Sequence, residues 1–353
     1  MEFIELAELC DKGSSNLVQK DLVFDSGIYP VYGAPGEITK VDFFHQRKPY
    51  LGLIKDGAGV GRVMQLPANS SVIGTIQYIF PKENVDLKYL YYLIKYLDLG
   101  KSNTGATIPH IYFKDYKKRK VKVREYGKQK HIGQILELID SHLSAYKNVL
   151  EQYDLLIKSR FVEMFGIFNV NTNNQNTIKF KDLIEQNNTN EDDLVWLLNL
   201  DMIKANTGEI VEKVYINRQN IPTSSISFKK GTVLYSKLRP YLNKVVIADE
   251  NGYGTSELIP LNSYKNGLTA EYLAYYLRQD SFVEYIKDKV TGAKMPRVAM
   301  DVLRSIDIVQ PNYVYQEQFS SFVYQINKLK SDVQKSIDET QLLMDSLMQE
   351  YFG

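Results

Sequence analysis

Ser159-Arg160-Phe161-Val162-Glu163-Met164-Phe165-Gly166 and Ser346-Leu347-Met348-Gln349-Glu350-Tyr351-Phe352-Gly353 each close a long amphipathic stretch, and their final Phe-Gly pairs stand 353 − 166 = 187 residues apart. Upstream, Thr104-Gly105-Ala106 and Thr291-Gly292-Ala293 repeat at the same offset, 291 − 104 = 187, each followed by a proline, Pro109 and Pro296. Two landmarks on one offset indicate a tandem duplication. Two similar heads, each closed by a long helix, would be held a fixed distance apart.

The closing stretches carry a measurable period. Stepping four and three residues alternately from Ile132 gives Ile132, Leu136, Ile139, Leu143, Tyr146, Leu150, Tyr153, Ile157, Arg160 and Met164, nine of ten apolar or aromatic. The same walk shifted by 187 gives Phe319, Val323, Ile326, Lys330, Val333, Ile337, Thr340, Met344, Leu347 and Tyr351, eight of ten, with Lys330 and Thr340 the exceptions. A 3.5-residue repeat over nearly five heptads is the seam of a coiled coil rather than the wider stripe of a surface helix. Each helix is read as roughly 33 residues, or roughly 50 Å at about 1.5 Å per residue. Two unrelated helices, each docked on its own domain, are the alternative, but matched period, length and offset favour pairing. The pairing residues are then Ile132, Leu136, Ile139, Leu143, Leu150 and Ile157 against Phe319, Val323, Ile326, Val333, Ile337, Met344 and Leu347. Antiparallel pairing would place the heads at opposite ends under a pseudo-twofold axis.

Outside the helices the sequence alternates short extended runs with turns, such as Tyr29-Pro30-Val31-Tyr32-Gly33 and Leu66-Pro67-Ala68-Asn69-Ser70, and a β-branched run, Val72-Ile73-Gly74-Thr75-Ile76. A helix is expected from Asp86 to about Leu97, and its counterpart from Ala270 to about Asp288, since Tyr272-Leu273-Ala274-Tyr275-Tyr276-Leu277 echoes Tyr89-Leu90-Tyr91-Tyr92-Leu93. The expected layout is a first head at 1–128, a long coiled-coil helix at 129–166, an Asn/Thr-rich linker at 167–176, a second head at 177–315 and a second long coiled-coil helix at 316–353. The fold class is α+β: two tandem mixed α/β domains separated and joined by two long antiparallel coiled-coil helices. Tyr32, Trp196 and Cys10 read as packing residues.

With 353 residues, 44% hydrophobic and 24% charged, the chain has room for two or three domains of ordinary globular composition. Its single cysteine, Cys10, excludes an internal disulfide and suits a reducing compartment. Neither a secretory signal nor a run of about 18 apolar residues occurs, so the expectation is a soluble cytoplasmic protein without a membrane segment. The net charge of +1 hides clustering. Between Lys101 and Lys130, ten basic residues face two acidic ones, a balance of 10 − 2 = +8, and Lys229, Lys230, Lys237, Arg239 and Lys244 lie in a stretch without an acid. Such clusters attract phosphates, although each alone could be a solvated charge run. In Tyr235-Ser236-Lys237-Leu238-Arg239-Pro240-Tyr241-Leu242-Asn243-Lys244 the cations alternate with aromatics and hydroxyls, a mix suited to phosphates and base edges.

Catalysis has no visible home. The sequence contains no Walker loop, no His-Glu-x-x-His, no zinc-spaced cysteines and no Gly-x-Ser-x-Gly. Gly57-Ala58-Gly59-Val60-Gly61 lacks the third glycine of a dinucleotide fingerprint and reads as turns. An Asp/Asn-Pro-Pro-aromatic methyltransferase tetrapeptide is also missing, and His45, His110, His131 and His142 are scattered.

The order head, heptad helix ending in Phe-Gly, second head, second heptad helix resembles the DNA-specificity subunit of type I restriction-modification systems over nearly the whole chain. Pro30-Val31-Tyr32-Gly33-Ala34, Gly57-Ala58-Gly59-Val60-Gly61, Leu234-Tyr235-Ser236-Lys237-Leu238-Arg239-Pro240-Tyr241 with Lys244, the Thr-Gly-Ala…Pro segments and Ser346-Leu347-Met348-Gln349 carry the resemblance. It implies a non-catalytic subunit whose two domains each read half of a split site in double-stranded DNA. The helices would set the spacing, about one duplex turn or roughly 34 Å, and dock two DNA adenine methyltransferase subunits. ATP-dependent translocase-nuclease subunits would join them. No cofactor is expected on this chain; S-adenosylmethionine, ATP and Mg would sit on the partners. No helical segment precedes the first head here, so partner contacts near Met1 are an open expectation. Groove contacts are expected from Lys55, Arg62, Thr107 and His110 in the first head and from Lys237, Arg239, Tyr241, Lys244, Lys294 and Arg297 in the second. Arg62 and Arg239 could instead pin turns. The Thr-Gly-Ala loops should need close backbone approach, to DNA or to a helix, and the heads look unmatched where Lys55-Asp56-Gly57-Ala58-Gly59 meets Tyr235-Ser236-Lys237-Leu238-Arg239. A coiled-coil adaptor, and a specificity subunit of another restriction-modification type, are the competing readings.

Overall fold

The computed structural model describes residues 2–102, 109–168, 176–185, 193–264 and 267–353. Their packing separates two units, Met1–Lys147 with Gln334–Gly353, and Asn148–Val333. The division falls inside both long helices rather than at their ends, so each unit holds a mixed α/β head together with one end of each helix. Among the described residues no helix is long and apolar enough to cross a membrane.

In the first unit the strands are β1 (Glu2–Glu5), β2 (Cys10–Ser14), β3 (Tyr29–Gly33), β4 (Gly36–Val41), β5 (Tyr50–Ile54), β6 (Val63–Leu66), β7 (Ser71–Val72), β8 (Ile76–Pro81) and β9 (Lys120–Val123), with helices α1 (Leu87–Leu97) and α2 (Phe113–Tyr116). They form a four-stranded sheet β2-β8-β5-β6, a three-stranded sheet β4-β3-β7 and the pair β1-β9. Every residue of β5 is buried, as a central strand covered on both faces requires. Asp86 caps α1 by accepting from the Tyr89 backbone N–H at 3.0 Å, satisfying one of the orphan donors of the first turn. Tyr89, Leu90, Leu93 and Ile94 then face the core at helical spacing, together with Leu51, Leu53 and Ile79 of the sheet.

The first long helix, α3, runs over Tyr126–Phe165, beginning three residues before the expected 129. Ile132, Leu136, Ile139 and Leu143 are buried in the first unit's core, where they meet Met344, Met348 and Phe352 of α8, described below, with Ile337 and Leu347 packed partly against them.

The second unit contains β10 (Thr177–Lys179), α4 (Phe180–Leu183), β11 (Leu194–Leu198), β12 (Val214–Asn217), β13 (Ile226–Phe228), β14 (Val233–Ser236), β15 (Val245–Ile247), β16 (Gly252–Gly254), β17 (Leu258–Leu261), α5 (Ala270–Arg278), α6 (Asp280–Lys287), β18 (Val290–Thr291), β19 (Arg297–Val298), α7 (Met300–Arg304) and β20 (Asp307–Val309), followed by α8 (Tyr313–Phe352). Sheets β12-β11-β16-β13 and β15-β14-β17 and the pairs β10-β20 and β18-β19 result. Ile157 and Phe161 of α3 and Phe319, Val323 and Ile326 of α8 share this unit's core with Tyr272 and Leu273 of α5. The Phe161 ring lies 5.2 Å from Phe319 and 5.5 Å from Tyr272. Leu150 and Val333 are half-buried.

The heptad exception Lys330 donates to Asp154 of α3 at 2.6 Å, and Thr340 donates to the Ser336 carbonyl at 2.6 Å. A polar seam position is thus matched by a carboxylate, and the other by its own helix backbone.

The 187-residue offset recurs in the two long helices. α3 and α8 are both 40 residues long, and both their first and last residues differ by 187. Gln129 and Gln316 each fasten a long helix to its head. Gln129 accepts from the Asp86 N–H at 3.0 Å and donates to the Arg124 carbonyl at 2.8 Å. Gln316 accepts from the Thr269 N–H at 2.9 Å and donates to the Pro311 carbonyl at 2.8 Å. The Phe-Gly endings cross over: Phe165 packs on Tyr272 of the second unit at 4.9 Å, whereas Phe352 packs on Tyr89 of the first at 5.2 Å.

Two expected elements are broken. The helix expected from Ala270 to Asp288 is interrupted at Gln279, which is extended (φ −57°, ψ 138°). This frees the Arg278 carbonyl for the Asn243 side chain at 2.9 Å, while the Gln279 side chain accepts from the Phe168 N–H at 3.0 Å. The run Val72–Ile76 divides into β7 and β8 because Gly74 turns away to donate to the Leu17 carbonyl at 2.8 Å. Of the packing residues, Trp196 and Cys10 are buried and Tyr32 is half-buried. The linker residues 169–175 lie outside the described residues.

Candidate nucleic-acid interface

In each unit a strand leaves its sheet and is clipped by a later segment. Following β5, the Gly57 N–H donates to Pro109 O and the Ile111 N–H to Lys55 O, both at 3.0 Å, and Asp56 faces His110. Following β14, the Arg239 N–H donates to Pro296 O at 2.8 Å and the Val298 N–H to Lys237 O at 3.1 Å, with Leu238 facing Arg297.

Further bonds fix the correspondence. Ile54 N–H to Arg62 O and Lys55 N–H to Thr75 O recur as Ser236 N–H to Lys244 O and Lys237 N–H to Glu257 O, each shifted by 237 − 55 = 182. The clipping segment is shifted by 296 − 109 = 187. The stretches that look unmatched in sequence therefore superimpose once slid by two residues. Lys55 takes the place of Lys237, Arg62 that of Lys244, and His110 that of Arg297. Gly57 (φ 84°) and Arg239 (φ 48°) occupy the same left-handed corner, which glycine adopts freely and arginine does not.

The frame is common and the lining is not. In the first unit the Lys55 ammonium lies 2.6 Å from Asp56 Oδ2, and His110 Nδ1 lies 2.7 Å from Asp56 Oδ1. Partial burial pushes the Asp56 carboxyl upward, but the hydrogen bonds from Lys55 and His110 outweigh it and hold the group below the usual carboxylate range. The His110 ring stacks on Tyr112 at 6.3 Å. In the second unit Arg297 donates through Nε and Nη2 to Glu257 Oε1 at 2.9 and 2.7 Å, and this bond raises the guanidinium further. Arg239, Tyr241 and Lys294 are exposed, while Lys237 lines an open cavity of about 490 Å³ with Ser225, Ser256 and Arg304.

The expected contact residues separate accordingly. Lys55 and His110 meet on the first clip, and Lys237, Arg239 and Arg297 lie on the second, while Lys294 precedes it in sequence. Arg62 pins a turn by donating to the Ala34 carbonyl, and Lys244 donates to the Leu200 carbonyl. Thr107 and the Thr104-Gly105-Ala106 loop lie outside the described residues. Gly292 has φ 94°, and a side chain there would approach only its own loop at Met295, so a left-handed backbone explains this glycine without any neighbour. Gly61 is the close approach: a Cβ there would lie 2.2 Å from the Gly100 nitrogen.

The basic run 101–130 is not one free face. Arg119 donates to Leu97 O at 3.0 Å, Lys122 to Gly353 O at 2.5 Å and Arg124 to Glu350 O at 3.3 Å. The last two neutralise the carbonyl end of α8, where the helix dipole favours cations. Sequence reasoning missed Asp56 and Glu257, the two acids inside the clips; the adjacency of Asp56 to Lys55 was the available signal. Among the described residues no group of three or more His, Cys, Asp or Glu could hold a metal ion.

Comparisons with known proteins bear on the fold and on the first part of the chain. The profile described as "Type I restriction modification DNA specificity domain" matches residues 1–154. The type I restriction enzyme EcoDI specificity subunit of Escherichia coli is 22% identical over 147 residues, covering 42% of this chain and 32% of that protein. The MjaIX specificity subunit of Methanocaldococcus jannaschii is 25% identical over 152 residues, covering 40% of this chain and 34% of the relative. The match thus spans about a third of the length of each curated relative. The crystal structure of the type I restriction-modification S subunit from M. genitalium superimposes with a TM-score of 0.62 at 15% identity, covering 100% of this chain and 96% of the other. Residues 1–154, under half of the chain, therefore match the type I restriction-modification DNA-specificity domain model, and the whole chain shares the fold of a solved S subunit.

Proposed function

We propose that this chain is the non-catalytic DNA-specificity subunit of a type I restriction-modification complex, reading an asymmetric bipartite site with one half-site per head. The observation that carries the reading is the paired clip: one hydrogen-bonded frame, presenting Lys55 and His110 in one unit and Lys237, Arg239 and Arg297 in the other. Identical frames give equivalent docking on two stretches of duplex, and different linings give different sequences. Lysines supply phosphate contacts, and an arginine can donate two parallel hydrogen bonds to guanine O6 and N7.

The long helices, in this proposal, pair antiparallel as a coiled coil, relate the heads by a pseudo-twofold axis and act as the ruler. Support comes from within each unit, where the start of one long helix shares a core with the end of the other. Exposed apolar side chains such as Leu138, Leu155, Tyr324 and Leu342 give the helices surface for two DNA adenine methyltransferase subunits. S-adenosylmethionine, ATP and Mg would be bound by those subunits and by the ATP-dependent restriction subunits, in the cytoplasm. A coiled-coil adaptor without DNA specificity would not require the clips to differ, whereas a role in another restriction-modification type is separated from this reading by the neighbouring genes.

The test is adenine-methylation mapping in a host expressing the chain with its modification subunits. A split motif methylated in both halves is expected, and replacing residues 177–315 with those of a relative should change one half only. Change in both halves, or DNA binding that neither weakens steeply with salt nor prefers a sequence, would refute the proposal.

A further inference from the structure

We propose that the open cavity beside Lys237 in the second head binds one phosphodiester of the DNA backbone, held by the Lys237 ammonium and the Arg304 guanidinium with the hydroxyls of Ser225 and Ser256. This rests on the DNA-reading function proposed above, to which it adds a contact that sets position and carries no base preference.

The frame common to the two heads shows why this site calls for an anion. Lys55 and Lys237 hold one place in it, their N–H groups donating to Thr75 O and Glu257 O. In the first head the next residue is Asp56, whose Oδ2 lies 2.6 Å from the Lys55 ammonium. In the second head the next residue is Leu238, and the half-buried Lys237 ammonium has no carboxylate or other hydrogen-bond partner among the described residues. A cation drawn partly out of water without a counter-charge is costly, and an incoming anion offsets that cost. The acids adjoining the lining residues are already engaged. Glu257 accepts from Arg297 at 2.7 Å, Glu185 accepts from the Asn262 side chain, and Asp301 pairs with Arg304 at 3.3 Å. The last is an exposed pair within one turn of α7, of a kind that contributes little, so Arg304 can turn donors to a phosphate.

The lining fits a phosphodiester rather than a free anion. Four segments meet there: Ser225 before β13, Lys237 after β14, Ser256 in the turn before β17 and Arg304 at the end of α7. Two cations with two hydroxyls are the donors that hold DNA phosphates in register. Much of the remaining wall is apolar, with Ile226, Leu258, Pro260 and Met300. It offers contact to the sugars on either side of a phosphate, for which an inorganic anion has no use. Lys237 also stands two residues before Arg239, and its carbonyl accepts from the Val298 N–H within the clip. A duplex read by this clip therefore carries its backbone past the cavity.

The test measures binding by the full chain assembled with its modification subunits, on its own target and on an unrelated duplex, over about 50–200 mM salt. Each phosphate neutralised contributes about 0.9 to the slope of log K against log salt. Lys237→Gln should therefore flatten the slope by about 1 and weaken binding about tenfold at about 0.1 M salt, equally on both duplexes. Lys237→Arg should keep the slope, which separates a lost charge from a damaged fold. Leu238→Asp, giving Lys237 the neighbouring acid that Lys55 has, should reproduce Lys237→Gln. The double variant Lys237→Gln/Arg304→Gln should lose about 1 rather than about 2, because both cations hold one phosphate. An unchanged slope in Lys237→Gln, a loss confined to the specific duplex, or a loss of about 2 in the double variant would overturn the proposal. If the unsubstituted complex binds both duplexes alike, the DNA-reading function fails while the slopes still judge the cavity. Sequence preference with slopes that ignore the variants refutes the cavity alone, and a complex that binds neither duplex refutes both.

Discussion

Replacing Gln316 with Met should destabilise the second unit by about 3 kcal/mol. The side chain is fully buried and makes three hydrogen bonds: it accepts from the Thr269 N–H at 2.9 Å and donates to the Gly267 and Pro311 carbonyls at 3.1 and 2.8 Å. Methionine fills nearly the same volume, so the cavity contribution is small and three backbone groups lose their partner. A buried unsatisfied group costs about 1–3 kcal/mol, with carbonyls toward the lower end. The Thr269 N–H and the Pro311 carbonyl, on buried residues, together give about 3 kcal/mol, while Gly267 is exposed and its carbonyl can turn to water; that is a large share of a typical total of about 5–15 kcal/mol. The chain's single tryptophan, Trp196, lies buried in this unit, so its fluorescence in urea follows this unit's unfolding. With a slope of about 2 kcal/mol/M, the midpoint should fall by about 1.5 M. Gln316→Ala should fall further, because a cavity is added. A Gln316→Met midpoint within about 0.3 M of the unmodified protein would refute the view that this glutamine fastens the long helix to its head.

Other outcomes follow from the same geometry. The Cys10 thiol, pushed up to about 12 first by burial and then by Asp11, should resist a thiol reagent at pH 8 in the folded protein and react at once in denaturant; fast native labelling would contradict its packing. Asp56 has a folded-state carboxyl below its unfolded value, so its contribution is complete above the ordinary carboxylate range near pH 4 and is lost as pH falls through the lowered value. Acid titration of Asp56→Asn should therefore converge with the unmodified protein only well below pH 4. Phe352→Ala removes a ring 94% buried against Tyr89 and should cost about 3 kcal/mol in thermal unfolding. Destabilisation below about 1 kcal/mol would show that the Phe-Gly ending does not close the first unit.

Long-range periodicity made the helices legible. An apolar residue that recurs at helical spacing marks the face a helix buries, so Ile132, Leu136, Phe319 and Val323 could be placed in cores without coordinates, and Lys330, which breaks the pattern, pairs with Asp154. The clips were only half legible. Lys55, Lys237 and Arg297 stand out by charge, but which cations reach solvent depends on pairings across 28 to 231 residues, as Arg62 with Ala34 and Lys122 with Gly353 illustrate. Sequence proximity carries no trace of such pairings. The heads' correspondence was hidden for another reason: the offset is 182 along the clipped strands but 187 along the clipping segment, and a single-offset comparison fails on one of them.

That change of offset bears on how the two heads differ around a shared backbone frame. The α1 and α5 caps differ by 269 − 86 = 183, and the clipping prolines by 187, so four residues were gained between them in the second unit. They fall in the stretch where α5 breaks at Gln279 and α6 and the β18–β19 hairpin follow. The hydrogen bonds that hold the clip lie on both sides of this insertion and survive it unchanged. A frame fixed by backbone bonds tolerates such length changes between its fixed points, because loop closure becomes only slightly harder with each added residue. Side chains at the clip, such as Leu238 for Asp56 and Arg297 for His110, make none of those backbone bonds. They can therefore vary without moving the frame, while the clip keeps its hydrogen bonds.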